Sequence, residues 1–206
     1  MIGEVAGVVL AGGTSSRMGR DKALVRPFGD SSPHMLEHTY GLLSALLPRC
    51  WVSCAKGRPY EGYPCLFDDV GEKGPAGGIL TALRHAAREG YAALLALSCD
   101  LPFMDMATLR QLLAARQKGA ALATMYVSAT EGLRQPLVAI YETAATPLFE
   151  AALASGERGL SGILPREKLF LLPYSAAETR PFFNMNTRDD MAVASTWHGK
   201  FKDRGA

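Results

Sequence analysis

Along the chain, continuous apolar runs alternate with segments of helical period. Residues 5–11 (VAGVVLA) form an unbroken apolar run stopped by Gly12 and Gly13, which predicts a strand buried on both faces. Residues 91–98 repeat the pattern and end at Cys99 and Asp100. Shorter strand-like segments fall at 51–53, 64–67, 121–127, 137–141 and 169–173. Between them, residues 35–47 place Leu36, Tyr40, Leu43 and Leu47 at helical spacing before Pro48, and residues 106–117 do so with Leu109, Leu112 and Leu113. A helix is expected from near Ile79, after a Gly-Pro-Ala-Gly-Gly turn, with Ile79, Leu83, Ala86 and Ala87 along one face. Further helices are expected around 148–154 and after Asn186, where Thr187 and Asp190 stand as cap and third-position acid.

Elements in this order predict an α/β fold: a single Rossmann-like three-layer domain, its mainly parallel sheet covered by helices on both faces. No repeat, low-complexity tract or linker divides the chain, so residues 1–194 are read as one domain and the mostly polar residues 195–206 as a frayed tail. No apolar run approaches the ~20 residues of a membrane-spanning helix. The first residues lack the basic start of a signal peptide. A cytoplasmic setting with no membrane partner is therefore expected.

Charge narrows the chemistry. Lys and Arg total 22 against 20 Asp and Glu, a net of +2, which gives no general field for gripping nucleic acid. Attraction for phosphate must then be local. The four cysteines, Cys50, Cys54, Cys65 and Cys99, form no C-x-x-C pair and read as reduced packing thiols. His34 and His38 lie four apart but do not make H-E-x-x-H, and they read as structural.

The local attraction lies in residues 10–24 (LAGGTSSRMGRDKAL), which follow the first buried strand and so emerge at the carboxyl edge of the sheet, where open α/β sheets bind ligands. Gly12, Gly13 and Gly19 let backbone N–H groups converge on an anion, and Thr14, Ser15 and Ser16 add hydroxyls. Arg17, Arg20, Lys22 and Arg26 against Asp21 concentrate positive charge there. Neither G-x-x-x-x-G-K-[ST] nor G-x-G-x-x-G is present, which removes the P-loop and dinucleotide readings.

The pattern L-A-G-G-x-S-x-R-M-G-x-D-K-x-L in this stretch closely resembles the signature of the molybdenum cofactor guanylyltransferases, nucleotidyltransferases built on a Rossmann-like sheet. Residues 74–79 (GPAGGI), 99–103 (CDLPF), 135–141 (QPLVAIY) and 183–187 (FNMNT) match further segments in order. The resemblance implies transfer of GMP from GTP to the phosphate of molybdopterin, with release of pyrophosphate and dependence on Mg²⁺. It implies nucleotide contacts at Leu10, Ala11, Gly12, Gly13, Ser15, Arg17, Gly74 and Pro75, phosphate binding and catalysis by Lys22, and a catalytic, metal-binding and nucleotide-binding role for Asp100. A second nucleotide-contacting acid is assigned to Asp69, with Asp68 as its alternative. Asn184 and Asn186 are implied at the acceptor, with turn and cap formation as the competing role of Asn186. A nucleotide-contacting asparagine of the family falls near Ser53, a departure, and Ala76 and Gly77 replace the usual Leu-Ala. Arg134 and Arg158 are candidates for the acceptor's phosphate, with a solvated surface charge the commoner role for such residues. Transient contacts with cofactor-synthesis proteins and recipient molybdoenzymes follow as expected partners. The same sheet and first loop could serve a cytidylyl or sugar-1-phosphate transferase, or a catalytically silent pterin carrier.

Overall fold

The computed structural model describes residues 4–11, 21–68 and 74–202, with residues 199–202 as backbone alone. Seven strands form one sheet: β1 (Val5–Leu10), β2 (Cys50–Cys54), β3 (Cys65–Phe67), β4 (Ala93–Ser98), β5 (Ala123–Ser128), β6 (Arg134–Glu142) and β7 (Leu169–Tyr174). They lie in the order β3-β2-β1-β4-β6-β5-β7. All run parallel except β6, which is antiparallel to both its neighbours, β4 and β5.

Every residue of β1 and β4 is buried, which is why both read as unbroken apolar runs: each face must meet a helix layer. Val9, Leu95 and Leu97 pack with α1 (Met35–Ser44) and α3 (Met106–Arg116) on one face, through Leu36, Leu43, Leu109 and Leu112. Val8, Leu94 and Ala96 pack on the other with α2 (Pro75–Arg88) and α4 (Thr146–Ala154), through Ile79, Leu83 and Phe149. A single turn, α5 (Leu160–Ile163), and a terminal helix, α6 (Arg188–Lys202), complete the fold. This is the α/β sheet covered on both faces that the sequence predicts. No helix among the described residues is long and apolar enough to cross a membrane.

Two elements depart from expectation. α2 begins at Pro75, so the glycines read as a turn are its first turn. Gly74 precedes it at φ 64°, a left-handed conformation that suits glycine, and Pro75 occupies the first helical position, where no N–H is needed. Position 78 suits glycine within the helix because of a close approach: a Cβ there would lie 2.6 Å from Ser53 Oγ on β2. The second departure is α6, which runs on to Lys202, into the stretch expected to fray. Trp197 packs its ring 5.8 Å from Phe103 and 5.1 Å from Phe183, and His198 stacks on Phe28 at 4.1 Å. These rings give the helix a buried face that its polar composition conceals.

At the amino edge of the sheet Arg116 of α3 meets Glu142 of β6 through two parallel hydrogen bonds of 2.7 and 2.8 Å, with the arginine only 8% exposed. Neutralising the carboxylate leaves a desolvated guanidinium without this opposing charge. Glu142→Gln is expected to cost about 2 kcal/mol, and so to lower the melting temperature by about 5 °C. A melting curve superimposable on wild type would show that the pair contributes nothing net.

Candidate active site

The chain leaves β1 toward β2 and β3, then returns to lay β4 on the other side of β1. Between β1 and β4 the direction of winding therefore reverses, and such a switch point opens a crevice at the carboxyl ends of the strands. Leu10 is in register with both Ser53 and Ser98. The carboxyl ends of the three strands thus lie side by side.

Asp100 lies just beyond β4. Its Oδ1 accepts from Ser98 Oγ at 2.6 Å, and its backbone carbonyl accepts from Met185 N–H at 2.8 Å. That second bond draws in the FNMNT segment. In the amide orientation that satisfies both groups, the Asn184 nitrogen donates to the two Asp100 carboxylate oxygens at 2.8 and 2.7 Å. Burial raises the Asp100 carboxyl above its usual range, opposed by the Ser98 hydrogen bond and the Lys22 charge. A partly desolvated carboxylate of this kind gains from a cation beside it. Turned over, the Asn184 amide presents its oxygen beside the carboxylate, so the pair fits a hard divalent ion. No group of three or more His, Cys, Asp and Glu that could hold a metal gathers among the described residues.

Lys22 opens a 3₁₀ turn (Lys22–Leu24) capped by Asp21, whose Oδ1 accepts from Ala23 N–H at 2.9 Å. Its ammonium crosses to the far end of the chain and donates to Asn186 Oδ1 at 2.6 Å. Asn186 is itself held: its backbone N–H and that of Thr187 both donate to Asp190 Oδ2 at 2.8 Å, while Asp190 N–H donates back to Thr187 Oγ1 at 3.1 Å. This is the reciprocal cap expected from Thr187 and Asp190. The Asn186 amide, followed by those of Thr187 and the nearby lysine charge, holds the Asp190 carboxyl below the usual range.

Lys22, Asp100, Asn184 and Asn186 therefore form one cluster. Met185, buried between the asparagines among Val25, Met35 and Phe103, sends both side chains to the crevice. Leu10 and Ala11 border it: the Leu10 carbonyl accepts from Cys99 N–H and Ala11 N–H donates to Ser53 O, each at 3.3 Å. Gly74 and Pro75 stand exposed at the start of α2, whose Gly78 abuts Leu10 and Ser53. Asp68 ends β3 and accepts from Thr81 Oγ1 of α2 at 3.4 Å. Gly12, Gly13, Ser15, Arg17 and Asp69 lie outside the described residues. Arg134 donates to the Ser161 carbonyl at 3.5 Å, and Arg158 is exposed. His34 caps α1, and His38, its pKa lowered by burial, meets the Met104 carbonyl at 3.1 Å, in keeping with structural roles.

Three contributors were not singled out from sequence. Ser98 could have been, since it stands two residues before Asp100 on the same strand end. Asp21 is a fixed position of the first motif, yet its role appears only in the cap it makes. Tyr60, from the β2–β3 connection, donates its hydroxyl to Asp21 Oδ2 at 2.8 Å and lies 3.3 Å from the Ala11 carbonyl. No local pattern marks it.

Comparison with known proteins adds the family to this geometry. A family model described as the MobA-like NTP transferase domain matches residues 7–169. A molybdenum cofactor guanylyltransferase of Rhizobium leguminosarum is 34% identical over 203 residues, covering 94% of this chain and 93% of the relative. A probable molybdenum cofactor guanylyltransferase of Flavobacterium johnsoniae is 30% identical over 191 residues, covering 89% and 92%. The solved structure of molybdopterin-guanine dinucleotide biosynthesis protein A from Archaeoglobus fulgidus superimposes with a TM-score of 0.74 at 24% identity, covering 95% of this chain and 99% of that one.

Proposed function

The chain belongs to the MobA-like NTP transferase family, and from that premise we propose that it transfers GMP from GTP to the phosphate of molybdopterin, releasing pyrophosphate. The observation that carries this reading is the Lys22–Asn186 contact beside the Asn184–Asp100 contact. Lys22, proposed for the triphosphate, is within one hydrogen bond of Asn186, proposed for the acceptor, as a direct transfer between two bound substrates requires.

In the reaction an oxygen of the acceptor phosphate attacks the α-phosphorus of GTP, and the bond from that phosphorus to the bridging oxygen breaks, leaving pyrophosphate. No side chain needs to form a covalent bond. The residues align the two phosphates and offset their charge. Lys22 supplies an ammonium toward the triphosphate, released from Asn186 when substrate takes its place. Asp100, oriented by Ser98 and Asn184, would hold Mg²⁺, which when bound would neutralise phosphate oxygens and favour departure of pyrophosphate. Asn184 and Asn186 offer donors and acceptors to a pterin edge.

Incubation with each nucleoside triphosphate, Mg²⁺ and molybdopterin, with pyrophosphate and dinucleotide product measured, tests the reading. GTP is expected to be preferred, in keeping with the Gly12-Gly13 form of the first motif. Equal or faster turnover of CTP would overturn the choice of base. Binding of the pterin without pyrophosphate release would overturn transfer itself.

A further inference from the structure

Residues 55–64, between β2 and β3, are exposed except where Tyr60 and Tyr63 turn inward. Tyr60 is anchored from its own side of the loop: its N–H donates to Cys65 Sγ at 3.2 Å, and the Cys65 thiol lies 3.7 Å from its carbonyl. Its ring packs against the core layer of α1 and α3. Its hydroxyl faces two acceptors, Asp21 Oδ2 at 2.8 Å and the Ala11 carbonyl at 3.3 Å. Ala11 closes β1, and Asp21 opens the turn that carries Lys22, so a single phenol ties together the chain on either side of residues 12–20. The Asp21 carboxylate is shared: one oxygen holds the Lys22 turn through Ala23 N–H, the other is held by Tyr60. Burial, and then the hydrogen bond to Asp21, push the phenol far above its usual range, so it remains a donor throughout the working pH.

The geometry points to Tyr60 as a positioning residue for nucleotide binding: its hydroxyl sets Asp21, and through Asp21 the direction in which Lys22 is presented to the triphosphate. Tyr60 acts through this chain of contacts and not on the substrate. The inference rests on the reading of Lys22 as the triphosphate-side lysine. It assigns the β2–β3 connection a part in the site that no motif of the sequence implies.

Tyr60→Phe keeps the ring and its packing and removes only the hydroxyl. Loss of a hydrogen bond to a charged group is expected to weaken nucleotide affinity about tenfold, measured by calorimetry with whichever nucleoside triphosphate the wild-type protein binds most tightly. The melting temperature should move by no more than about 2 °C. In a Lys22→Ala background the same change should cost less than about twofold, because the group it positions is gone. Unchanged affinity in Tyr60→Phe overturns the inference. So does an equal loss with and without Lys22, or a loss that tracks a lowered melting temperature. Failure of every nucleoside triphosphate to bind the wild-type protein overturns the proposed function, a result separate from these.

Discussion

Asp100→Asn is expected to abolish transfer while leaving the ligand-free protein at least as stable as wild type. The substitution preserves shape and an acceptor for Ser98 Oγ, so the 2.6 Å bond at the end of β4 can persist. What disappears is the charge and one of the two acceptors facing Asn184, whose amide can turn its own oxygen toward the new NH2. Burial holds the Asp100 carboxyl above its usual range, so in the pH interval between its unfolded and folded pKa the folded chain binds the proton more readily than the unfolded chain. The ionised carboxylate therefore subtracts from stability near neutral pH, and that loss is recovered as pH falls through the raised value. Asparagine removes the penalty at every pH. Thermal unfolding without divalent cation should give a melting temperature equal to or above that of wild type, with kcat lower by about a thousandfold or more. Wild-type turnover would sink the assignment of the metal to Asp100. A marked drop in melting temperature would mean that the carboxylate is needed for folding instead.

Lys22→Ala should fall nearly as far. The ammonium sits on a turn fixed by Asp21 and meets Asn186 at 2.6 Å, close enough for its charge to act on Asp100 and Asp190. A positive charge beside phosphates that gain charge during transfer contributes more in the transition state than in the ground state. kcat should therefore drop about a hundredfold, together with any rise in KM for GTP. Lys22→Arg should restore only part, because a planar guanidinium does not fit the place of a compact ammonium against the Asn186 oxygen. If Lys22→Ala left GTP kinetics intact and raised only the KM for molybdopterin, the lysine would serve the acceptor and the orientation of the site would be reversed.

How much of this was legible depended on whether a feature leaves a local trace. β1 and β4 could be read because two covered faces exclude polar residues from every position. The direction of β6 could not, since an apolar run looks the same in either sense. Its Pro136 lies beside a register irregularity between Met125 and Val127, where a missing ladder donor is tolerated. The start of α2 was hidden because Gly77 and Gly78 are normally punctuation. Here Gly78 serves the close contact with Ser53, a tertiary reason outside any window of sequence. The length of α6 was hidden likewise, its polar stretch being held by Trp197 against the ring of Phe103, nearly a hundred residues away in the chain. In the site, the resemblance supplied Lys22, Asp100, Asn184 and Asn186 as separate points on a line. Their pairing needed the sheet. Tyr60 was invisible because its partner Asp21 lies 39 positions away, bridged by no periodicity.

The span of the Lys22–Asn186 contact, 164 positions, bears on the order in which a living cell assembles the protein. Synthesis proceeds from the amino terminus, so β1, the lysine turn and β4 with Asp100 are all made well before the asparagines exist. A nascent chain can fold the first half of its sheet and still lack the amides that meet Lys22 and Asp100. Both pairs close only after the segment just ahead of α6 has left the ribosome, and α6, packed through Trp197 on Phe103 and Phe183, follows that segment. Closure of the site is thereby tied to synthesis of residues 184–186, and a chain that terminates before them lacks both pairs.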